Sequence, residues 1–181
     1  LVSEAAMRWA PAGCVVADSK DMTLEQMSAW LILQAGRCQT VVRLQTGDPG
    51  LYGALIELVQ PLDAAGVPIA VVPGVSSAMA SAAAAVESLT LPEVTQTAIF
   101  TRVEALEALA AHHSTLCIFL SITLMGRVTA ALTAAGWSPD APVVVVHKAS
   151  WPAEQKIIRG TVATIQDLCR DAKIVSQSMI I

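Results

Sequence analysis

The sequence predicts an α/β fold with two domains, residues 1–90 and 91–181. In the first half, two apolar runs, beginning at Val41 and Ile69, each pass through a glycine-containing turn into a segment with helical spacing. In the second half, short apolar runs again alternate with helical patterns, and the four valines at 143–146 are typical of a strand buried on both faces. Residues 89–97 contain Pro92 and several threonines without helical periodicity, which indicates the connection between the domains.

The first domain is expected to begin with a helix over residues 1–9 and a short strand over 14–17. Thr23 and Gln26 have the spacing of a capping box, and they open a predicted helix that ends near Gly36. Further strands are predicted at residues 41–44 and 69–72. An alanine-rich helix is predicted at 77–86, where small side chains would allow close packing of helix on sheet.

The turn at residues 46–49, Thr-Gly-Asp-Pro, follows the strand predicted at 41–44. Leucines recur at helical spacing after it, and Gly66 is predicted to end that helix. Pro49 has the fixed φ that suits a first helical position, and Asp48 is placed to cap the helix. Open α/β sheets bind ligands at the carboxyl edge of their strands, so this turn is a candidate ligand site. The alternative is an ordinary strand-to-helix connection with a well-chosen cap.

The second domain is predicted to repeat the alternation. Its first helix, 104–112, has Leu106 and Leu109 as the expected buried pair, and Leu124, Val128 and Leu132 mark the next helix, which ends near Gly136. A last helix is predicted at 162–170. The predicted strands lie at 98–101, 115–120, 143–146, 155–158 and 178–181.

Composition excludes several classes of protein. Of 181 residues, 54% are hydrophobic and 14% charged, which is inconsistent with a disordered chain, and a net charge of −4 gives no support to nucleic-acid binding. The apolar stretch at 64–86 is interrupted by Pro68, Pro73 and Gly74, which favours a sheet core over a membrane span. The four cysteines lack C-x-x-C spacing and are interpreted as buried thiols of a cytoplasmic protein.

Histidines and tryptophans offer weaker candidates. His112 and His113 lie at a helix end without nearby ligands, so no metal site is predicted. His147 follows a strand, but a hydrolase triad lacks support because no G-x-S-x-G elbow is present. Trp151 lies in a loop after a strand, where it could contact a ligand.

Several motifs together resemble the tetrapyrrole methyltransferase family. They are Gly-Asp-Pro-x-x-Tyr-Gly at 47–53, Pro-Gly-Val-Ser-Ser at 73–77, Leu-Thr-Leu-Pro-Glu-Val-Thr-Gln-Thr at 89–97 and Thr-Arg at 101–102. The block at 89–97 favours the subgroup that methylates carbon 11 of precorrin-4 or cobalt-precorrin-4 in cobalamin biosynthesis. The resemblance implies two α/β domains with a cofactor cleft between them, S-adenosylmethionine as methyl donor, and a homodimer. The alternatives are another tetrapyrrole methyltransferase, a diphthine synthase of the same fold, or a non-catalytic nucleotide-binding domain.

The resemblance also implies individual site residues. Arg102 and Lys148 are the substrate candidates, since the substrate is a macrocycle fringed with carboxylates, whereas Lys156 is equally well explained by a surface salt bridge. No obligatory general base is expected, because alignment of the reactants does most of the work in methyl transfer. The positions implied for S-adenosylmethionine are Thr46, Gly47, Asp48, Pro49, Tyr52, Ser76, Ser77, Leu120, Ser121, Lys148 and Ala149.

Two departures from the family pattern are visible. The family usually begins with a strand and a glycine/proline-rich loop that precede the first residue here. It also usually carries a short Gly-Arg-Thr-Pro loop where Glu104 and Ala105 are adjacent in this sequence.

Overall fold

The computed structural model describes residues 4–151 and 153–181, and the chain divides into two compact units, Leu1–Ser76 and Ser77–Ile181. The α/β fold class is confirmed. In the structure the alanine-rich helix belongs to the second unit, whereas the sequence predicts a boundary after residue 90. That domain boundary stays a prediction.

From residue 4 onward, the first unit contains three helices, α1 (Glu4–Met7), α2 (Leu24–Ala35) and α3 (Leu55–Ala64). The predicted capping box is present, since Thr23 Oγ1 accepts the Gln26 N–H and the Gln26 side chain accepts the Thr23 N–H. Gly36 ends α2 and Gly66, at φ +71°, follows α3, as predicted. Helix α2 packs against α3. Of the helix predicted at 1–9, residues 1–3 lie outside the described residues.

The strands predicted at 14–17, 41–44 and 69–72 are wrong. The structure assigns no regular secondary structure to these segments. Their apolar side chains are largely exposed, including Val15, Val42 and Val72. A strand exists only when a neighbouring segment supplies ladder hydrogen bonds, and within the described residues no segment pairs with any of the three.

The start of α3 also differs from the prediction. Asp48 and Pro49 do not begin the helix, because residues 49–53 fold back in a compact turn in which a Cβ on Gly53 would lie 2.5 Å from the Pro49 carbonyl oxygen. Helix α3 begins six residues after Pro49, at Leu55, after Ala54 in the left-handed region and without a side-chain cap. The Asp48 carboxylate is therefore available for other donors.

The second unit is one five-stranded sheet with helices on both faces. Its strands are β1 (Ala98–Arg102), β2 (Thr115–Phe119), β3 (Pro142–His147), β4 (Lys156–Thr161) and β5 (Ser178–Ile180), in the spatial order β1-β2-β5-β3-β4. β1 and β2 are parallel, whereas β5 is antiparallel to both β2 and β3, and β4 is antiparallel to β3. The carboxyl ends of β1, β2 and β3 therefore lie at one edge of the sheet.

The helices of the second unit are α4 (Ser77–Ala85), α5 (Val103–Leu109), α6 (Met125–Ala134) and α7 (Ile165–Asp171). Leu106, Val128, Val145 and Ile165 belong to one core cluster between the sheet and α5 to α7. Alternate strand residues point to opposite faces, and α4 packs with its buried alanines against β3 and β5. The Arg159 guanidinium donates to the Ala85 carbonyl oxygen and ties the end of α4 to β4.

Most predicted elements of the second half are confirmed, with small differences. Leu106 is fully buried, but Leu109 is only partly so. Glu104 and Ala105 lie within the uninterrupted helix α5. Cys117 and Cys169 are buried as predicted, whereas Cys14 and Cys38 are exposed, so that half of the cysteine prediction is wrong. Among the described helices, none has the length and hydropathy needed to cross a bilayer.

Candidate active site

Two glycine-containing loops of the first unit meet through the Asp48 carboxylate. Its Oδ1 accepts the Gly50 N–H at 2.8 Å within its own loop, and its Oδ2 accepts the Gly74 N–H at 2.9 Å in the loop that precedes Ser76. These two hydrogen bonds stabilise the charged form and so lower the pKa of Asp48 from its ordinary value, and the bond from the Gly74 N–H has the larger effect. The two loops are thereby held together by one ionised side chain.

The same junction requires glycine. A Cβ on Gly74 would lie 2.2 Å from the Gly47 carbonyl oxygen, far inside van der Waals contact. Gly47 itself has φ +76°, a conformation that favours glycine. The two backbones therefore touch where each loop changes direction. Gly74 was not among the predicted site residues, although the Pro-Gly-Val-Ser-Ser motif that contains it could have indicated it.

At the carboxyl edge of the sheet in the second unit, Ser121 joins two strand ends. Its side chain is buried, and its hydroxyl accepts the Val103 N–H at 3.0 Å and donates to the Phe119 carbonyl oxygen at 2.6 Å. Val103 is the first residue of α5, so Ser121 satisfies one of the free N–H groups at that helix start. The Ser121 hydroxyl is thus engaged within the protein both as donor and as acceptor.

The loop after β3 lies at this same edge. The register aligns His147 with Ser178 in β5, and His147 Nδ1 lies 2.9 Å from the Ser176 carbonyl oxygen and 3.1 Å from Ser178 Oγ. Lys148 donates its N–H to the Gln177 carbonyl oxygen at 2.9 Å, which extends the pairing of β3 with β5 by one residue. Hydrogen bonds therefore fix the course of the chain into Ala149.

Three predicted site residues have a left-handed backbone. The φ angles of Tyr52, Leu120 and Lys148 are +55°, +52° and +48°. For a residue with a side chain this conformation costs on the order of 1 kcal/mol, and it is concentrated at ligand sites and tight turns. Leu120 is also 65% exposed, although it directly follows β2, whose residues are mostly buried. Strain and exposure therefore coincide in Leu120, at the carboxyl end of β2.

Comparison with known proteins identifies the family. The family model described as tetrapyrrole (corrin/porphyrin) methylases matches residues 3–166. The chain belongs to the tetrapyrrole methylase family. Cobalt-precorrin-4 C(11)-methyltransferase of Priestia megaterium is 42% identical over all of this tetrapyrrole methylase chain and 73% of its own length. Precorrin-4 C(11)-methyltransferase of Mycobacterium tuberculosis is 39% identical over 94% of this chain and 72% of its own length.

A solved structure agrees with these relatives. The X-ray structure of a cobalamin biosynthetic enzyme, cobalt precorrin-4 methyltransferase, superposes with a TM-score of 0.94 at 42% identity and covers 99% of this chain and 79% of the solved one. Over 99% of its residues, this tetrapyrrole methylase therefore has the fold of that enzyme.

Within this tetrapyrrole methylase, the structure brings the predicted site residues together in two groups. In the first unit, Asp48 links the loop of Thr46, Gly47, Pro49 and Tyr52 to the loop that ends at Ser76. In the second unit, Arg102 is the last residue of β1, Leu120 and Ser121 follow β2, and Lys148 and Ala149 follow β3. Ser77 is the first residue of α4.

Both predicted substrate cations already have a carboxylate partner. Arg102 Nη2 lies 3.2 Å from Glu104 Oε1, and Lys148 Nζ is paired with Glu154 Oε2. Lys148 Nζ also lies 5.2 Å from the centroid of the Trp151 ring. The glutamates were not predicted from the sequence, since nothing in their spacing shows which cation they reach.

Proposed function

We propose that this protein transfers a methyl group from S-adenosylmethionine to carbon 11 of precorrin-4 or cobalt-precorrin-4. The observation that carries this proposal is the similarity over essentially the whole chain, at 42% identity, to cobalt-precorrin-4 methyltransferases. Relatives that match nearly the whole chain at 36–42% identity are named as C(11)-methyltransferases, and this supports an enzyme over the non-catalytic alternative.

The residues present fit a cofactor bound mainly by main-chain groups. Gly47 and Gly74 approach so closely that a side chain on Gly74 has no room, and such bare backbone can contact a ligand closely. We assign cofactor contacts to the two loops that Asp48 holds and to the main chain at Leu120, Ser121, Lys148 and Ala149. Because both Asp48 oxygens accept N–H groups, Asp48 positions the loops, and its charge contributes to the field around them.

When bound, S-adenosylmethionine supplies an electrophilic methyl group, whose bond to sulfur breaks as the bond to carbon 11 forms, with the electron pair left on sulfur. The ring carbon is the nucleophile, and the macrocycle returns to its original charge by losing a ring proton to solvent. The protein's part is alignment, which can contribute several kcal/mol to lowering the barrier without a general base.

Binding and turnover test this proposal. Calorimetry with S-adenosylhomocysteine should show binding to the protein, and mass spectrometry should show one methyl gained by precorrin-4 or cobalt-precorrin-4 in the presence of S-adenosylmethionine. Uroporphyrinogen III serves as the comparison substrate, and faster methylation of that compound would favour another member of the family. Absence of both binding and methyl transfer would refute the proposal. Light scattering separately tests the homodimer that the resemblance implies.

A further inference from the structure

The two predicted substrate cations, Arg102 and Lys148, lie at the carboxyl edge of the sheet, and each is neutralised by a glutamate from the segment that follows. Glu104 lies two residues after Arg102 in the first turn of α5, and Glu154 lies six residues after Lys148 in the loop between β3 and β4. Both pairs are formed by short stretches of chain, so neither is needed to join distant parts of the fold.

Both glutamate side chains are about half exposed, so solvent can receive them when the ion pairs open. The side chains of Arg102 and Glu104 are 46% and 55% exposed, and pairs of this kind contribute little to stability. In the second pair the lysine side chain is only 19% exposed and lies over Trp151, whereas Glu154 is 50% exposed. The cation is therefore fixed in place and its carboxylate partner reaches into solvent.

The positions of the pairs suit one large ligand. β2 and β5 lie between β1 and β3, so three strand-to-strand spacings of about 4.8 Å separate β1 from β3. Arg102 and Lys148 therefore leave the edge of the sheet about 14 Å from each other. A single carboxylate cannot reach both cations over this span. A macrocycle with carboxylates on its rim can.

We propose that Glu104 and Glu154 are specificity residues, internal carboxylates that occupy the positions taken by two carboxylates of the macrocyclic substrate and are displaced when it binds. This inference rests on the proposed function. Since each displacement exchanges one carboxylate for another, the net gain per contact is small. An anion that engages one cation therefore gains little binding free energy. Only a ligand that replaces both glutamates adds the two small gains.

Removing the internal carboxylates should strengthen binding of the macrocycle. The experiment is a fluorescence titration with uroporphyrin III, a stable carboxylate-fringed tetrapyrrole, against the full-length parent, Glu104→Gln, Glu154→Gln and the double variant. Each single variant should bind about two- to fivefold more tightly, the range expected for losing an exposed ion pair, and the double variant should show both gains. The gains should shrink at high salt.

Asp167→Asn is the matched control. It removes one negative charge and the pair with Arg170 on α7, and α7 follows the carboxyl end of β4 at the opposite edge of the sheet. Its affinity for uroporphyrin III should equal that of the parent. Circular dichroism verifies that every variant is folded.

Unchanged or weaker binding in both glutamate variants would overturn the inference, as would an equal gain in Asp167→Asn. A parent that methylates precorrin-4 but does not bind uroporphyrin III would also overturn it while leaving the proposed function intact. The proposed function has its own readouts, S-adenosylhomocysteine binding and methyl transfer to precorrin-4 or cobalt-precorrin-4 by the parent, and neither depends on the affinities of the glutamate variants for uroporphyrin III.

Discussion

Gly74→Ala tests the junction of the two glycine loops. The added Cβ would lie 2.2 Å from the Gly47 carbonyl oxygen and 3.1 Å from the Gly47 carbonyl carbon, both main-chain atoms. The φ of Gly74 lies outside the left-handed range, so alanine meets a steric obstacle only. To restore ordinary contact the backbones must separate by about 1 Å, which would also stretch the 2.9 Å hydrogen bond to Asp48 beyond the usual range.

Overpacking of this kind costs about 1–3 kcal/mol of unfolding free energy. Urea unfolding should show that loss for Gly74→Ala, and calorimetry should show S-adenosylhomocysteine bound at least about tenfold more weakly, equivalent to about 1.4 kcal/mol. Gly36→Ala is the control, since the nearest atom to its Cβ lies 3.7 Å away and its φ is −77°. It should bind like the parent. Parent-like stability and affinity in Gly74→Ala would refute the reasoning.

Three further predictions concern single side chains. Because folding lowers the pKa of Asp48, its carboxylate contributes fully to the free energy of unfolding above pH 3.8, the ordinary pKa, and this contribution is lost as the pH falls through the lower pKa of the folded state. The unfolding free energies of the parent and Asp48→Asn should therefore converge in acid. A difference that stays constant with pH would contradict this. Ser121→Ala leaves the Val103 N–H unpaired and should cost about 1–3 kcal/mol in urea unfolding while S-adenosylhomocysteine affinity stays near that of the parent; a large loss of affinity without loss of stability would assign the hydroxyl to the ligand. Burial raises the pKa of Cys117 to about 11 and also raises that of Cys169, so iodoacetamide at neutral pH should label only the two exposed cysteines of the folded protein, and labelling of all four would contradict the buried positions.

Local signals in the sequence predicted local structure well. The capping box at Thr23 and Gln26 and the glycine stop at Gly66 depend on contacts within a few residues, and both are present. The four valines at 143–146 lie in β3, an interior strand of the sheet, as their continuous hydrophobicity indicated. In each case the energy that fixes the element comes from neighbours along the chain or from burial of most of its side chains.

Features that depend on distant partners could not be predicted. The apolar run at 69–72 reads as a strand, but hydrophobicity does not supply a pairing neighbour. Likewise, β5 has three residues at the end of the chain and lies between β2 and β3, an order that no local pattern encodes.

The candidate site shows the same division. The sequence motifs located the glycine loops, and the family resemblance located the strand ends. The role of Asp48 could not be predicted, because Asp before Pro is a sound helix cap and only the fold reveals that the Gly74 N–H converges on it from 26 residues away. The pairing of Lys148 with Glu154 was equally hidden, since it depends on the course of a loop.

The position of the transferred methyl group tests the central claim most directly. The protein would be incubated with S-adenosylmethionine carrying a ¹³C-labelled methyl group and with precorrin-4 or cobalt-precorrin-4, and the product examined by carbon NMR. The account predicts one labelled methyl group, bonded to carbon 11. A labelled methyl at another ring carbon, or a macrocycle without label while S-adenosylmethionine is bound, would contradict it.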